Sequence, residues 1–294
     1  MEPDEWLAER FEADRTRLRK VAYRLLGSST EADDAVQEAW LRLSRSDARS
    51  VDNLTAWLTT VVARVCLDML RARKSRAETL QALSAWGADS GDAADLDMEL
   101  AIADSVGLAL SVVLEKLAPA ERVAFVLHDV FDVPFEEIAP IVGRTPVMAR
   151  QLASRARRRI RGQPTVSAAE LDRRRRLVDE FLNAVRSGNI DAIVALLDPD
   201  VVIRVDSSAA PVGRAVEAHG STTVARGALA FAARTQFATP MLLNGAPGIV
   251  VAPTGRARYA LTIDAAGEKI RAIEVIGDPA RLSQIDFATL NSPD

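Results

Sequence analysis

The sequence predicts a multidomain fold in which two all-α domains, the second with a helix-turn-helix, are followed by an α+β domain. Apolar residues recur at a helical period through residues 4–73, and a second helical block spans 99–162. After Pro199 the pattern changes to short β-like runs separated by glycine, proline and aspartate. The expected boundaries are 1–76 and 99–163 for the helical domains, 77–98 for an acidic linker and 168–294 for the third domain.

Three helices are predicted in the first domain, at 4–26, 31–45 and 54–73. Thr30 followed by Asp33 resembles a capping box, with Asp in place of Glu, that would start the second helix. Residues 74–98 lack a sustained period and are rich in Ala, Ser, Gly and Asp, which favours a linker.

Turn and capping residues predict the helix-turn-helix of the second domain. After a helix at 119–129, a short helix runs to Val142 and Gly143 supplies a tight connection. Thr145 is the expected N-cap, and Pro146 stands at the first position of a helix that continues to about Arg161. Four apolar residues of this second helix are expected to pack on the partner helix: Val147, Leu152, Ala156 and Ile160.

The third domain is predicted to begin with two helices and to continue as a curved antiparallel sheet. The helices are expected at Arg173–Ser187 and Ile190–Leu197. The β-like runs are Val201–Val205, Val224–Ala233, Ile249–Ala252, Ala257–Ile263 and Ile270–Ile276.

The net charge of −4, from 37 basic and 41 acidic residues, conceals an uneven distribution. Residues 144–176 hold 11 arginines and 2 acids, whereas residues 77–121 hold 9 acids and the single base Lys116. Local positive charge is what a phosphate backbone responds to, so the total does not exclude a nucleic-acid partner. The single Cys66 excludes an internal disulfide and a Cys-based metal site. No apolar run approaches the ~18–20 residues of a membrane helix, and we expect a cytoplasmic protein without a cofactor or metal.

The second helix of the helix-turn-helix carries residues suited to reading DNA in the major groove. Arg150, Gln151, Ser154 and Arg155 are expected to face outward, where Arg can bridge guanine acceptors and Gln can pair with adenine. The neighbouring arginines would meet phosphates: Arg144, Arg157, Arg158 and Arg159. The alternative is a solvated basic helix without a nucleic-acid role.

At four blocks in order, the chain resembles bacterial RNA polymerase sigma factors of the extracytoplasmic-function class. The blocks are Ala22–Gly27 (AYRLLG), Asp33–Leu43 (DDAVQEAWLRL), Ala56–Arg64 (AWLTTVVAR) and Arg122–Asp129 (RVAFVLHD), the last leading into the helix-turn-helix. The resemblance covers residues 5–162. It implies that the first domain binds the clamp helices of core RNA polymerase and the promoter's minus-ten element. The second domain would read the minus-thirty-five element.

The resemblance also implies three sets of site residues. The polymerase-binding set is Asp33, Asp34, Gln37, Glu38 and Leu41. The minus-ten set is the loop Ser46–Asn53 with Asn53, Arg64, Asp68, Arg71, Arg73 and Lys74. The minus-thirty-five set is Arg144, Thr145, Arg150, Gln151, Ser154, Arg155 and Arg158. The alternatives are an ordinary solvated acidic face for the first set and a charged helix end for Arg71–Arg76 in the second.

The third domain resembles a SnoaL-like, polyketide-cyclase-type cone, in the segments Leu177–Gly188 and Leu196–Val202. Sigma factors of a SigJ-like subgroup carry such a domain in place of control by a separate anti-sigma protein. Two motifs of that subgroup are altered here: Asp206–Ala210 (DSSAA) stands for the usual DGGGK, and Gly277–Leu282 (GDPARL) for the usual NPDKL.

The sequence therefore predicts a non-enzymatic sigma factor that binds core RNA polymerase and promoter DNA, helps promoter melting in DNA-templated transcription initiation, and is modulated by its own C-terminal domain. Neither a membrane partner nor a separate anti-sigma protein is implied. One alternative is a ligand-sensing helix-turn-helix repressor that acts without polymerase. Another is a bifunctional enzyme in which Asp206 and His219 form an acid/base pair at the cone mouth.

Overall fold

The structure, a computed structural model, describes residues 3–45, 53–84 and 105–290. Most of the predicted minus-ten loop, residues 46–52, and the linker from residue 85 lie outside the described residues. The chain divides into two compact units, and one boundary between them falls between Arg157 and Arg158, within the second helix of the helix-turn-helix. Among the described residues, no helix is long and apolar enough to cross a membrane.

The first unit contains the three N-terminal helices, α1 (Pro3–Leu26), α2 (Ser29–Ser44) and α3 (Leu54–Ser84). All three were predicted, and they pack against one another around fully buried leucines: Leu18, Leu25, Leu43, Leu58 and Leu67. The N-cap of α2 is Ser28 rather than Thr30, because the Ser28 hydroxyl accepts the Glu31 N–H at 3.3 Å. α3 continues past the expected end at residue 73 into a segment rich in the good helix formers Ala, Leu, Glu and Gln.

The helix-turn-helix lies in the same unit as far as Arg157. It is built by α5 (Pro119–Phe125), a π-helical turn (Val126–Val130), α6 (Phe135–Val142) and α7 (Pro146–Arg161). Gly143 has a φ of +68°, a left-handed conformation that lets the chain turn sharply between α6 and α7. The Thr145 hydroxyl accepts the Met148 N–H at 3.3 Å, which confirms the predicted N-cap.

One expectation about α7 is wrong. The buried face holds Ala149, Leu152, Ala153, Ala156 and Ile160, whereas Val147 is 60% exposed. Val147 precedes Ala149 by two residues and is therefore rotated about 200° around the helix from the buried face.

Within the first unit, α3 packs against α5 and α6. The Arg122 guanidinium of α5 is buried and donates from Nη1 to the Leu25 carbonyl oxygen at 3.0 Å, at the end of α1. On the exposed side, Arg64 of α3 donates to the Pro140 carbonyl oxygen of α6 at 3.5 Å. The N-terminal helices and the helix-turn-helix therefore lie side by side in this conformation.

The second unit is an α+β domain, as predicted. Its helices are α4 (Ser105–Lys116), α8 (Ala168–Arg186), α9 (Ile190–Leu196), α10 (Ser221–Ala230) and α11 (Pro279–Gln284). Its strands are β1 (Leu197–Val205), β2 (Val216–His219), β3 (Ala238–Leu243), β4 (Ala246–Val251), β5 (Tyr259–Ala266), β6 (Lys269–Ile276) and β7 (Phe287–Thr289). The predicted strand at Val224–Ala233 is wrong. That segment lies mostly in α10, where Val224, Ala225 and Ala228 recur at a helical rather than an alternating period.

The seven strands form one sheet in the order β2-β1-β6-β5-β4-β3-β7. All neighbours are antiparallel except β1 and β6, so the sheet is mixed and not purely antiparallel as expected. Register shifts interrupt the β1–β6 and β5–β6 ladders. Such irregularities bend and twist strands, and α8, α9 and α10 contribute the buried residues that complete a core with the sheet.

Helix α4 packs on the edge of this sheet, against β3 and β7. Leu108, Val112 and Val113 are buried, and the Lys116 ammonium donates to the Leu282 carbonyl oxygen at 2.8 Å. The same ammonium lies 5.1 Å from the centre of the Phe287 ring, and its desolvation lowers the pKa of Lys116. Although α4 precedes the helix-turn-helix in the chain, it is part of the sheet-containing unit.

Candidate nucleic-acid interface

The outward face of α7 presents basic and amide side chains. Arg144, Thr145, Arg150, Gln151 and Arg155 are exposed and Ser154 is half-buried, while Arg158 is exposed in the last turn. The first residues of such a helix are those that contact base edges when it lies in the major groove. The structure thus brings the predicted minus-thirty-five set together on one helix, its N-cap Thr145 and the preceding Arg144.

Three arginines of α7 have internal contacts of two kinds. Arg155 donates to Glu121 at 3.0 Å, and Arg157 donates to both carboxylate oxygens of Asp129 at 2.6 and 3.1 Å. These two side chains are tied to the elements before α6. Arg150 instead lies over the Phe135 ring, with 5.2 Å between its guanidinium carbon and the ring centre. This cation–π contact positions Arg150 without a carboxylate partner among the described residues, so its N–H groups can still donate to a base.

Sequence reasoning missed two apolar residues on the same surface. Val147 and Met148 are 60% and 44% exposed in the first turn of α7. Apolar side chains at the start of a recognition helix can contact the methyl group of thymine. Their exposure could have been predicted from the sequence, because both residues lie outside the buried face of α7.

Most of the minus-ten set shares one face of α3. Arg64, Asp68, Arg71 and Lys74 are exposed at spacings of four, three and three residues. Arg71 lies 3.6 Å from Asp68, an exposed pair that offers little stability.

Two members of the minus-ten set have structural contacts. Asn53 is the N-cap of α3, since its side-chain oxygen accepts the Ala56 N–H at 3.0 Å. Arg73 is half-buried, donates to the Leu26 carbonyl oxygen at 3.2 Å and forms an ion pair with Glu31. The Arg73 guanidinium therefore ties α3 to the α1–α2 junction and does not extend the exposed basic face.

The polymerase-binding set lies on the outer side of α2. Asp33, Asp34 and Gln37 are exposed, Glu38 is half-exposed and Leu41 is 39% exposed. Asp33 accepts two hydrogen bonds from Arg19, at 2.7 and 3.2 Å, and Glu38 accepts one from Arg42 at 2.9 Å.

The same helix is anchored by an aromatic contact. Trp40 packs against Phe11 of α1, with 5.0 Å between ring centres. This contact fixes the side of α2 that turns inward and so leaves Asp34, Gln37 and Leu41 on the outside.

The candidate acid/base residues of the third domain are not paired with each other. Asp206 accepts the backbone N–H groups of Ala209, Gly277 and Asp278 at 2.8 to 2.9 Å. Burial opposes ionisation of the Asp206 carboxyl, but these three donors and nearby Arg281 hold its pKa below the ordinary value. Asp206 thus joins the two altered motifs, Asp206–Ala210 and Gly277–Leu282. The exposed His219 contacts Glu217 instead, at 3.0 Å.

Other reactive groups of the described chain offer no site. Cys66 is fully buried in α3, and desolvation raises the pKa of its thiol, so it is a poor nucleophile. Among the described residues there is no group of histidine, cysteine and carboxylate side chains that could hold a metal ion.

Comparisons with known proteins identify the two helical segments. Sigma-70 region 2 matches residues 10–76 and Sigma-70 region 4 matches residues 107–160. The ECF RNA polymerase sigma factor SigJ of Mycobacterium tuberculosis is 44% identical over 203 residues, which cover 67% of this chain and 64% of SigJ. That match therefore spans just under two thirds of the relative's length.

A second relative is covered more fully. The probable ECF RNA polymerase sigma factor SigI of Mycobacterium tuberculosis is 37% identical over 199 residues, covering 67% of this chain and 69% of SigI. Among solved structures, the crystal structure of SigJ aligns with 94% of this chain and 98% of its own, at 33% identity and a TM-score of 0.44.

Proposed function

Because this chain belongs to the extracytoplasmic-function (ECF) RNA polymerase sigma factors, we propose that it binds core RNA polymerase, directs it to specific promoters and helps to melt them. The observation that carries the proposal is the presence of both sigma-70 regions in order, each with an exposed face suited to its task. Sigma factors are not enzymes, and the proposed role needs no cofactor. The proposed location is the cytoplasm, where the polymerase and the promoters are.

The proposed polymerase contact is the outer face of α2. Asp34, Gln37 and Leu41 are exposed on one side of the helix, next to the ion-paired Asp33 and Glu38. An acidic face with one exposed leucine suits a basic helical surface, because charge steers the encounter and the leucine can fill an apolar pocket.

Charge reversal on this face should weaken polymerase binding. We expect Asp34→Arg combined with Leu41→Ala to raise the Kd for core polymerase about 30-fold, the size of one interface hot spot of about 2 kcal/mol. Glu9→Arg makes the same charge change at an exposed position of α1 and should change the Kd less than twofold. Titration of labelled protein with core polymerase measures both. Equal weakening by the two variants would place the contact elsewhere.

The proposed DNA contacts divide between α7 and α3. In the major groove of the minus-thirty-five element, Arg150 and Gln151 would read base edges, and Val147 and Met148 would contact thymine methyl groups. The exposed face of α3 would contact the backbone of the minus-ten strand as it becomes single-stranded. A base captured outside the stack costs a few kcal/mol, which backbone contacts partly offset.

The two proposed DNA-reading elements, the exposed face of α3 and the helix-turn-helix, must separate before they can contact both promoter elements at once. The elements they read lie about 25 base pairs apart, which is about 85 Å at about 3.4 Å per base pair. In the first unit, Arg64 of the α3 face hydrogen-bonds Pro140 of the helix-turn-helix. We therefore assign this conformation to a closed state that opens on the polymerase.

The C-terminal domain is the proposed internal regulator, in place of a separate anti-sigma protein. The region 4 match begins at residue 107, so it includes α4, yet α4 packs on β3 and β7. Lys116 and the buried apolar residues of α4 fasten the beginning of region 4 to the sheet. The C-terminal domain can thus control the position of α4, and with it the beginning of region 4.

Removal of the C-terminal domain should expose α4. In a chain ending after Thr165, we expect the backbone amides of α4 to exchange hydrogen at least about tenfold faster than in the full-length protein, because helices this short are marginal without tertiary packing. The amides of α2 serve as the internal control and should keep their protection. Unchanged protection of α4 would show that the sheet does not hold it.

The proposed function is tested by transcription in vitro. Core polymerase with the full-length protein should produce transcripts from discrete start points in a library of genomic fragments, and core polymerase alone should not. The same start points should disappear when polymerase is supplied with the Asp34→Arg/Leu41→Ala variant. The absence of any discrete start point with the wild-type protein would refute the proposal.

A further inference from the structure

The C-terminal domain contains a cavity between its helices and the concave face of its sheet. The space it encloses, counted together with its open mouth, is about 720 Å³. Side chains from α8 and α10 and from strands β1 and β3–β6 line it. The cavity lies wholly within the second unit, and no residue of the proposed DNA-reading faces lines it.

The interior of the cavity is apolar. Representative lining side chains are Phe181, Leu182, Ile203, Leu261 and Ile273. Among the described residues that line it there is no carboxylate and no histidine, and neither Asp206 nor His219 is one of them. The cavity therefore lacks a carboxylate–histidine pair for acid–base chemistry, and its apolar lining is suited to binding.

The mouth of the cavity is positively charged. Arg234, on the 3₁₀ segment Ala232–Phe237, lines it and lies over two aromatic rings, 4.9 Å from the centre of Phe231 and 5.6 Å from that of Tyr259. Arg258 lies over the same Tyr259 ring at 5.5 Å. Neither guanidinium has a carboxylate within 4.0 Å in the described parts of the chain.

We propose that this cavity binds a small molecule with an apolar body and a single anionic group. The body occupies the space between α8, α10 and the sheet, and the anion lies at Arg234 with Arg258 nearby. An apolar cavity supplies affinity by burying apolar surface, and an arginine at its mouth orients an anionic head through charge-assisted hydrogen bonds. The proposal concerns the C-terminal domain alone and does not depend on the sigma-factor function.

Two fluorescent probes with the same body test the proposal on the full-length protein. 8-Anilinonaphthalene-1-sulfonate carries one sulfonate, and N-phenyl-1-naphthylamine has the same ring system without a charge. Both should bind one site per chain, the anionic probe more tightly. Arg234→Gln should weaken binding of the anionic probe about tenfold, the loss of one charge-assisted contact, and change the neutral probe less than twofold. Arg226→Gln, an exposed arginine of α10 outside the cavity, should change neither.

A variant that fills the cavity locates the binding. Ala228→Phe places a ring among the lining residues and should reduce binding of both probes at least about tenfold, provided that circular dichroism and Tm stay native. If that variant does not fold, the comparison of Arg234→Gln with Arg226→Gln tests the proposal by itself. The proposal is overturned if neither probe binds the wild-type protein, if both survive in folded Ala228→Phe, or if the two arginine variants affect the anionic probe equally.

Discussion

A cross-link between α3 and α6 should abolish promoter-dependent transcription, and cleavage of the cross-link should restore it. Arg64 and Pro140 are in contact in this conformation, so cysteines at both positions can be joined by a short, reducible bismaleimide. Held together, the two proposed DNA-reading elements, α3 and the helix-turn-helix, could not span the about 85 Å between their promoter elements. We expect the cross-linked protein to give at least about 20-fold fewer transcripts, which corresponds to a free-energy difference of about 1.8 kcal/mol.

The native Cys66 does not complicate this experiment, because its thiol is buried and its pKa is raised. The unreacted Arg64→Cys/Pro140→Cys protein measures the effect of the substitutions themselves. Each single-cysteine variant treated with the reagent measures the effect of modification without a link. Full activity of the cross-linked protein would mean that α3 and α6 need not separate.

Loss of the proposed base-reading side chains of α7, Arg150 and Gln151, should have the second large effect. Each bidentate contact with a base provides about 1–3 kcal/mol of discrimination, so Arg150→Ala with Gln151→Ala should reduce transcription from a cognate promoter about 100-fold. Binding to core polymerase should stay within twofold of the wild type, because these residues lie on α7 and not on α2.

A matched pair of substitutions controls for the change of charge and size. Arg176→Ala with Gln236→Ala alters the same residue types at exposed positions of the second unit and should leave transcription within twofold. Run-off transcription from one promoter measures all three proteins. Equal activity of the Arg150/Gln151 variant and the wild type would contradict the assignment of α7 as the reader.

The sequence predicts best the elements whose signals are local. α1, α2 and α7 follow from helical periods and end signals, and the helix-turn-helix from Gly143 and Thr145. Strands β2, β3 and β7 were not expected, and the parallel β1–β6 pair joins segments about 70 residues apart. Pairing over such a distance is decided by packing of the whole domain and not by the pattern of one strand.

The same distinction holds for the site. The exposed polar faces of α2 and α7 can be predicted because helical geometry determines which side chains share a side, although Val147 was assigned to the wrong side of α7. The structural role of Arg73 could not, since its partners Leu26 and Glu31 lie more than 40 residues away. The cavity could not be predicted either, because its lining comes from many separate elements.

The most direct test of the central claim, that this protein acts on promoters as part of RNA polymerase, is permanganate probing of a promoter found by transcription in vitro. Permanganate modifies unpaired thymines, so it reports melting. Reactive thymines should appear near the start point only when both core polymerase and the protein are present, and they should be absent with the protein alone. A protein that protects duplex DNA equally without polymerase, and that produces no reactive thymines with it, would contradict the claim and indicate a repressor.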